Sequence, residues 1–503
     1  MSILKKYRLP LIISAVLFAV SVTAVALWGV RSSKAEEIGE PPVFEDAVSE
    51  SSIISSNNFD LTWRGWQNAK TAACEVYTSP SYNASAKGTL AEGTDVVLIG
   101  RINGFFKIRM GLKNGWIKES CILPGEPLPE SLPAVYSPDA PRDITDSSYG
   151  AALSELCKKY GGTGIQAAVI ENGAVAYTFE YGYADREKKR AVTPDTKYRV
   201  ASLSKAIIGI DAMALYDLGK LDLDTDLGVY HGAKVRNPSF PNTPITLRNF
   251  LTHTSSLRIA PKYDKDKRPL LSSKDSYTSN APGTKETYCY NNAAYEIAGM
   301  MIEKASKLTV ADFMNRYFAP LDIDASFYYG LIEKKEFGKL YLGGTVSDIT
   351  KNSFYRMYSD KPGALINSQH YAGGYISSAK DAAKLFSLLA NDGAYNGVSY
   401  ISPQTVEEMQ KVHYSFSGFD QCITLRHKSN IYGGREIYYH TGNSSGMLAL
   451  ASYCDAEKSG VVVLTSGAPQ KKDENGLYEC CSKITGYCYE NIIGSGLYEE
   501  VYG

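Results

Sequence analysis

The run Val200-Ala201-Ser202-Leu203-Ser204-Lys205 opens a long apolar stretch and is able to set a hydroxyl beside an amine. Residues three apart on a helix share a face, so Ser202 Oγ and Lys205 Nζ fall within hydrogen-bond reach. Burial disfavours the ammonium form, and a lysine that is often neutral can take the serine proton and leave a nucleophile for a carbonyl. A serine in a first helical turn also sits where free N–H groups and the helix dipole favour developing negative charge. The pattern Ser-x-x-Lys decides little by itself, since Ser2-Lys5 and Ser377-Lys380 share it. Ser2 precedes an apolar segment, and Ser377, after Gly373-Gly374, reads as the cap of an amphipathic helix. Only Ser202 leads into Ala206, Ile207, Ile208, Ile210, Met213, Ala214, Leu215 and Leu218, the pattern of a helix buried through a domain. Taken alone, Ser202 reads more readily as an ordinary helix cap than as a nucleophile.

Two later segments complete a candidate site. Tyr288-Cys289-Tyr290-Asn291-Asn292 follows Pro282-Gly283-Thr284, and Tyr439-His440-Thr441-Gly442 ends a strand-like run. On composition, Tyr290 is one of 37 tyrosines and reads as a packing residue, while His440 reads as a strand histidine with a satisfied ring. In order and flanking sequence, however, the region from about 150 to the end resembles the serine β-lactamase-like hydrolases. That family includes penicillin-binding DD-peptidases, class C β-lactamases and esterases, with motifs Ser-x-x-Lys, Tyr-x-Asn and Lys/His-Thr-Gly. Gly182-Tyr183-Ala184-Asp185, Gly219 to Asp224, Leu251-Thr252-His253-Thr254-Ser255 and Ala372-Gly373-Gly374 are also family-like. Tyr-x-Asn is poor evidence alone, since Tyr489-Glu490-Asn491 fits it too; the ordered set is the signal.

The resemblance implies a division of labour. Ser202 attacks the carbonyl and Lys205 draws its proton. Tyr290 shares that proton traffic and donates to the leaving group, which requires a positive neighbour because a free tyrosine is a poor base at neutral pH. Asn292 holds the lysine and the substrate amide. The oxyanion rests between the N–H groups of Ser202 and Asn443, after His440, Thr441 and a Gly442 that lets substrate approach the strand. His253 is expected to belong to a structural turn. Asn291 stands where relatives carry a smaller residue, so the substrate wall is expected to differ there. His440, in place of the lysine usual in β-lactamases, shifts the reading toward a peptidase acting on D-alanyl or related peptide bonds. An esterase or β-lactamase is the alternative, and a non-catalytic wall-binding or sensor protein is the rival from another class.

The elements that must position these residues follow from pattern. A helix is expected near 151–159, then strands at 164–170 and 174–181 joined at Asn172-Gly173, a strong hairpin signal. Strands are expected at 437–440, 447–452 and 461–465, before a final amphipathic helix carrying Leu477, Cys481, Ile484 and Cys488. Strands at both ends with helices between predict an α+β domain over 148–503, with one antiparallel sheet and an all-helical region. The charged, turn-rich 262–279 reads as a loop near a cleft. Upstream, short strands at 74–78, 95–99, 105–110 and 115–117 predict a small all-β barrel. Residues 69–125 resemble a bacterial SH3 domain through Val76 to Pro80, Gly88-Thr89-Leu90, Phe106 to Arg109 and Gly115 to Lys118. In that family such modules often attach enzymes to the cell wall, so peptidoglycan is an expected partner. Trp116 reads either as a groove residue or as a structural tryptophan.

The 503-residue chain carries 44% hydrophobic residues and a formal charge of −1, which leaves no electrostatic footprint for nucleic acid. After a short cytoplasmic tail (1–8), Lys5, Lys6 and Arg8 precede an apolar run over 9–30 long enough to cross a bilayer. It reads as an export signal retained as an anchor, or cleaved near Ala24-Val25-Ala26 to give a secreted protein. Linkers are expected at 31–68 and, rich in proline, at 126–147. Nine cysteines suit an oxidising compartment. Cys74 with Cys121, and a group of Cys157, Cys480, Cys481 and Cys488, are possible bridges. Neither Cys-x-x-Cys pairs nor His-Glu-x-x-His occurs, so no metal or other cofactor is expected.

Overall fold

The computed structural model describes residues 67–124 and 141–495, apart from 79, 81–83, 103, 111–112, 266–267, 348–362, 364–369 and 396–397. The apolar run 9–30 and Ser2-Lys5 lie outside the described residues. Among the described residues no helix is long and apolar enough to cross a membrane.

The described residues between 67 and 124 form a small antiparallel β-sheet. Its strands are β1 (Gln67–Thr71), β2 (Cys74–Tyr77), β3 (Ala86–Leu90), β4 (Thr94–Ile102), β5 (Phe105–Met110) and β6 (Lys113–Lys118), in the order β1-β4-β5-β6-β2-β3. Alternation puts Val96, Leu98, Phe106, Ile108 and Ile117 in one core. Trp116 is buried beside Tyr77 and Phe105, and Lys107 Nζ lies 5.4 Å from its ring centroid. Cys74 and Cys121 are adjacent here, yet both are free thiols, as are the other seven cysteines. Cys157 likewise lies near Cys480 and Cys488, all unbridged and held protonated by burial. None of the bridges open to these cysteines is formed in this structure.

In the second part, β7 (Arg142–Asp143) pairs in parallel with β9 (Ala174–Asp185), which forms a hairpin with β8 (Gly164–Glu171). Asn172 and Gly173 both take positive φ, 51° and 75°, as the tight turn requires. A short β10 (Arg190–Ala191) extends that edge. The far half of the sheet comes from the end of the chain: β11 (Tyr414–Phe416), β12 (Phe419–Gln421), β13 (Arg426–Ile431), β14 (Arg435–Ser444), β15 (Met447–Cys454) and β16 (Ser459–Ser466). Sheet order is β10-β9-β8-β16-β15-β14-β13-β12-β11. Both faces are covered. Met447, Ala449, Ala451 and Tyr453 of β15 join the core beneath the helical region. Leu448, Leu450 and Cys454 join the one under α1 (Ser148–Tyr160) and the closing helix at Glu479–Tyr487. The result is the expected α+β architecture.

Three helices matter for the site: α2 (Ser204–Asp217), α3 (Asn292–Ser306) and α4 (Ala379–Ala390). Every residue of α2 from Ser204 to Leu215 is buried, as its all-round apolar pattern requires. The cap of α4 is Ser378, whose side chain accepts the Asp381 N–H, and not Ser377. Ser377 lies one residue earlier in a two-residue strand paired with Tyr198, and Lys380 reaches Asp195 instead. That third Ser-x-x-Lys pattern therefore has no shared face.

Candidate active site

Ser202 lies in a 3-10 turn, Ala201–Leu203, that runs into α2, so it precedes the α-helix rather than capping it. Ala201 takes φ 52°, a left-handed value that a side chain rarely adopts and that the surroundings must enforce. They do so with Val200 N–H donating to the Tyr375 carbonyl (2.9 Å) and Tyr375 N–H to Ser204 Oγ (3.0 Å). Ser204 Oγ also donates to the Ala201 carbonyl (2.7 Å). Across the turn stands β14. A Cβ on Gly442 would lie 2.5 Å from the Val200 carbonyl oxygen and 3.3 Å from Leu203 N. Gly442 thus admits the Ser202 turn to the strand, a packing role beside the expected access for substrate.

Lys205 is wholly buried and its Nζ donates to Ser202 Oγ (3.2 Å) and to the Ala372 carbonyl (2.9 Å). Burial pushes its pKa down from 10.5 to about 7, against the opposing pull of the Glu296 carboxyl. Glu296, one turn into α3, accepts the Ala372 N–H at 3.2 Å and also a bond from the Tyr371 N–H. One residue, Ala372, therefore connects Glu296 to Lys205 through its N–H and its carbonyl. Gly299 lets this happen: a Cβ there would lie 2.1 Å from the Tyr371 ring, so only glycine lets the 370–373 turn settle on α3. Burial also raises Glu296 well above the ordinary carboxyl value.

Tyr290 shares a hydrogen bond with Ser202, and Lys205 Nζ lies 4.9 Å from its ring centroid. Burial raises the phenol's pKa; the Ser202 bond and the Arg426 guanidinium, 5.8 Å from the ring centroid, pull the other way. His253 stacks on Tyr290 with centroids 4.5 Å apart, and its Nδ1 accepts the Asn291 N–H (3.1 Å). Burial holds that ring neutral, so it acts as a structural prop for the Tyr290 turn. Asn291 corrects an expectation. Its side chain is buried, accepts the Ala294 N–H as the cap of α3, and donates to the Leu257 and Arg258 carbonyls. It faces inward and forms no part of a substrate wall. Asn292 is half-buried and opens α3, and its side chain makes no hydrogen bond among the described residues; the expected contact with Lys205 is not formed.

His440 is buried and its Nδ1 lies 2.8 Å from the Thr441 carbonyl, which places the proton on Nδ1. Burial, then the charges of Lys205 and Arg426, push its pKa down to about 3, so the ring is neutral. β13 pairs with β14 only as far as Tyr439, while β15 pairs along His440 to Ser444. Thr441, Gly442 and Asn443 thus lie beyond the reach of β13, with the Asn443 amide 3.4 Å from Gln470 Oε1. Ser202, Lys205, Tyr290 and His440 converge; Glu296, Arg426 and the Ala372 carbonyl join them without having been singled out in the sequence. Arg426 lay in no motif. Only the family-like Ala372-Gly373-Gly374 hinted at the third.

Residues 150–479 match the family model described as Beta-lactamase. This chain belongs to the beta-lactamase family. That family of serine hydrolases takes in β-lactamases and penicillin-binding proteins. Protein flp of Staphylococcus aureus (strain N315) is 26% identical over 171 residues, 31% of this chain and 33% of its own length. The putative penicillin-binding protein PbpX of Bacillus subtilis (strain 168) is 27% identical over 187 residues, 37% of this chain and 46% of its own. The chain thus spans about a third to a half of these curated relatives. A class C beta-lactamase superposes with TM-score 0.54 at 19% identity, covering 68% of this chain and 95% of that one. An octameric penicillin-binding protein homologue from Pyrococcus abyssi gives 0.53 at 21%, covering 68% and 76%. These two establish the beta-lactamase fold.

Proposed function

We propose that this chain is an exported serine hydrolase that works through an acyl-enzyme on Ser202, as a penicillin-binding DD-peptidase on cell-wall or related D-amino-acid peptides. The observation that carries it is the pairing of Lys205 Nζ with Ser202 Oγ at 3.2 Å, with Tyr290 on the same hydroxyl and a lysine pKa near 7. Neutral Lys205, with Tyr290, takes the Ser202 proton as Oγ bonds to the carbonyl carbon. The carbonyl electron pair moves to oxygen, where the N–H groups of Ser202 and Asn443 receive it, a contribution of about 3–4 kcal/mol to lowering the barrier. When the intermediate collapses, the bond to the leaving nitrogen or oxygen breaks and that atom takes a proton through Tyr290. Water then releases the acyl group by the same steps reversed. Asn292, free of other partners, and Thr441 are the groups offered to the substrate amide and carboxylate.

The neutral His440 in place of a lysine supports the peptidase reading. The proposal extends to residues 9–30 as a membrane anchor and 69–125 as an SH3-like module facing the wall. The test is incubation of the ectodomain with a fluorescent penicillin and with an activated ester, beside Ser202→Ala. Persistent label on the wild type and none on the variant is expected. Rapid turnover of penicillin would make it a β-lactamase, ester cleavage without labelling an esterase, and no Ser202-dependent reaction would end the hydrolase proposal.

A further inference from the structure

Two residues before Tyr290, the ring of Tyr288 meets a β-hairpin from the far edge of the sheet. Phe416 of β11 and Phe419 of β12 stand 4.4 and 6.1 Å from the Tyr288 centroid and 5.4 Å from each other. All three side chains are half-buried, so each ring keeps an open portion. Cations back the cluster. Arg426 lies 4.3 Å from the Phe419 centroid and donates to the Tyr288 hydroxyl at 3.4 Å, and Lys285 Nζ lies 5.5 Å from the Phe416 centroid. Because Arg426 also covers the Tyr290 ring, the aromatic wall is continuous with the residue hydrogen-bonded to Ser202.

The side of the substrate that meets this wall follows from the chemistry. The leaving atom takes its proton through Tyr290, so it departs next to that hydroxyl, whose ring shares the Arg426 guanidinium with Tyr288 and Phe419. We propose that Tyr288, Phe416 and Phe419 form a subsite for an aromatic or bulky apolar substituent on the leaving alcohol or amine. This rests on the acyl-transfer reading given above. Three rings, two of them on the hairpin, offer an apolar substituent the removal of its surface from water and edge or offset contacts with aromatic faces.

The test compares the methyl and benzyl esters of one N-acetylated amino acid, whose leaving alcohols are nearly equal in basicity. kcat/KM is measured for the full chain, for Phe416→Ala, for Phe419→Ala and for Ser202→Ala. The benzyl ester is expected to exceed the methyl ester by roughly tenfold or more in the wild type, and the ratio to fall toward one in either phenylalanine variant. Partial unfolding of a variant lowers both rates alike and leaves the ratio readable. A wild-type ratio near one, or a benzyl preference that survives both replacements, overturns the subsite while leaving acyl transfer standing. If Ser202 is not required to cleave either ester, the acyl-transfer reading fails and the subsite with it.

Discussion

Five titratable groups face Lys205 in the core of the site: Glu296, Tyr290, His253, His440 and Tyr295, whose phenol is raised far above neutral pH by burial. Both histidines are held neutral by burial and Tyr290 is raised above 10, so none of these three changes charge between pH 5 and 8. With Lys205 near 7, its proton-accepting form grows as pH rises, and acylation by penicillin is expected to rise through a limb centred near 7. Lys205→Ala should abolish that limb and most acylation while thermal unfolding shows a folded chain. Glu296→Gln tests the carboxyl separately, because glutamine keeps an oxygen for the Ala372 N–H and loses only the charge. Since the charged carboxyl raises the lysine, its removal should move the limb to lower pH; an unmoved limb would mean that Glu296 carries no charge while Lys205 titrates.

At the level of elements, the nucleophile turn is held between β14 and the 370–375 segment, and its position depends on two glycines. Gly442→Ala would press a methyl group against the Val200 carbonyl at 2.5 Å, with backbone on both sides and no flexible side chain to yield. A shift of Ser202 by about an ångström is expected to cost roughly 100-fold in acylation rate. Stopped-flow measurement of penicillin labelling would show it, and a wild-type rate would mean that the turn moves without losing its aim. Tyr290 is positioned just as indirectly, by His253 beneath its ring and by Asn291 as the cap of α3. The same cap ties the Tyr290 turn to the Leu257 and Arg258 carbonyls.

On the scale of the molecule, the small β-sheet is bonded to the helical region. Lys107, almost fully buried, places Nζ 2.8 Å from Asp322 Oδ1, and Lys87 lies 3.3 Å from Glu333. Asp322 is held below the usual carboxylate range, mainly by Lys107. Lys107 also covers Trp116, so of its two readings the tryptophan takes the structural one, buried behind this contact. Lys107→Glu would place like charges together and should release the sheet. An increased radius of gyration by small-angle scattering is the expected outcome, and an unchanged one would mean that the remaining contacts suffice.

The sequence by itself determined most of the elements and the candidate groups of the site. The short apolar runs at 164–170, 447–452 and 461–465, the Asn172-Gly173 turn and the all-round apolar α2 are local patterns, legible because a strand buried on both faces, a tight turn and a buried helix each leave their own mark in a few consecutive residues. Ser202 and Lys205 stand out only through the ordered motifs that follow them, since Ser-x-x-Lys occurs three times in the chain. Tertiary structure decided what surrounds them. The Ala372 carbonyl on Lys205, Glu296 behind that peptide, Arg426 over Tyr290 and the rings of Phe416 and Phe419 come from segments more than 70 residues from Ser202. No local period marks such contacts. Asn291 shows the limit most plainly: its type departs from the motif, but its direction, inward onto the Leu257 and Arg258 carbonyls, is set by the packing of α3 against a distant turn.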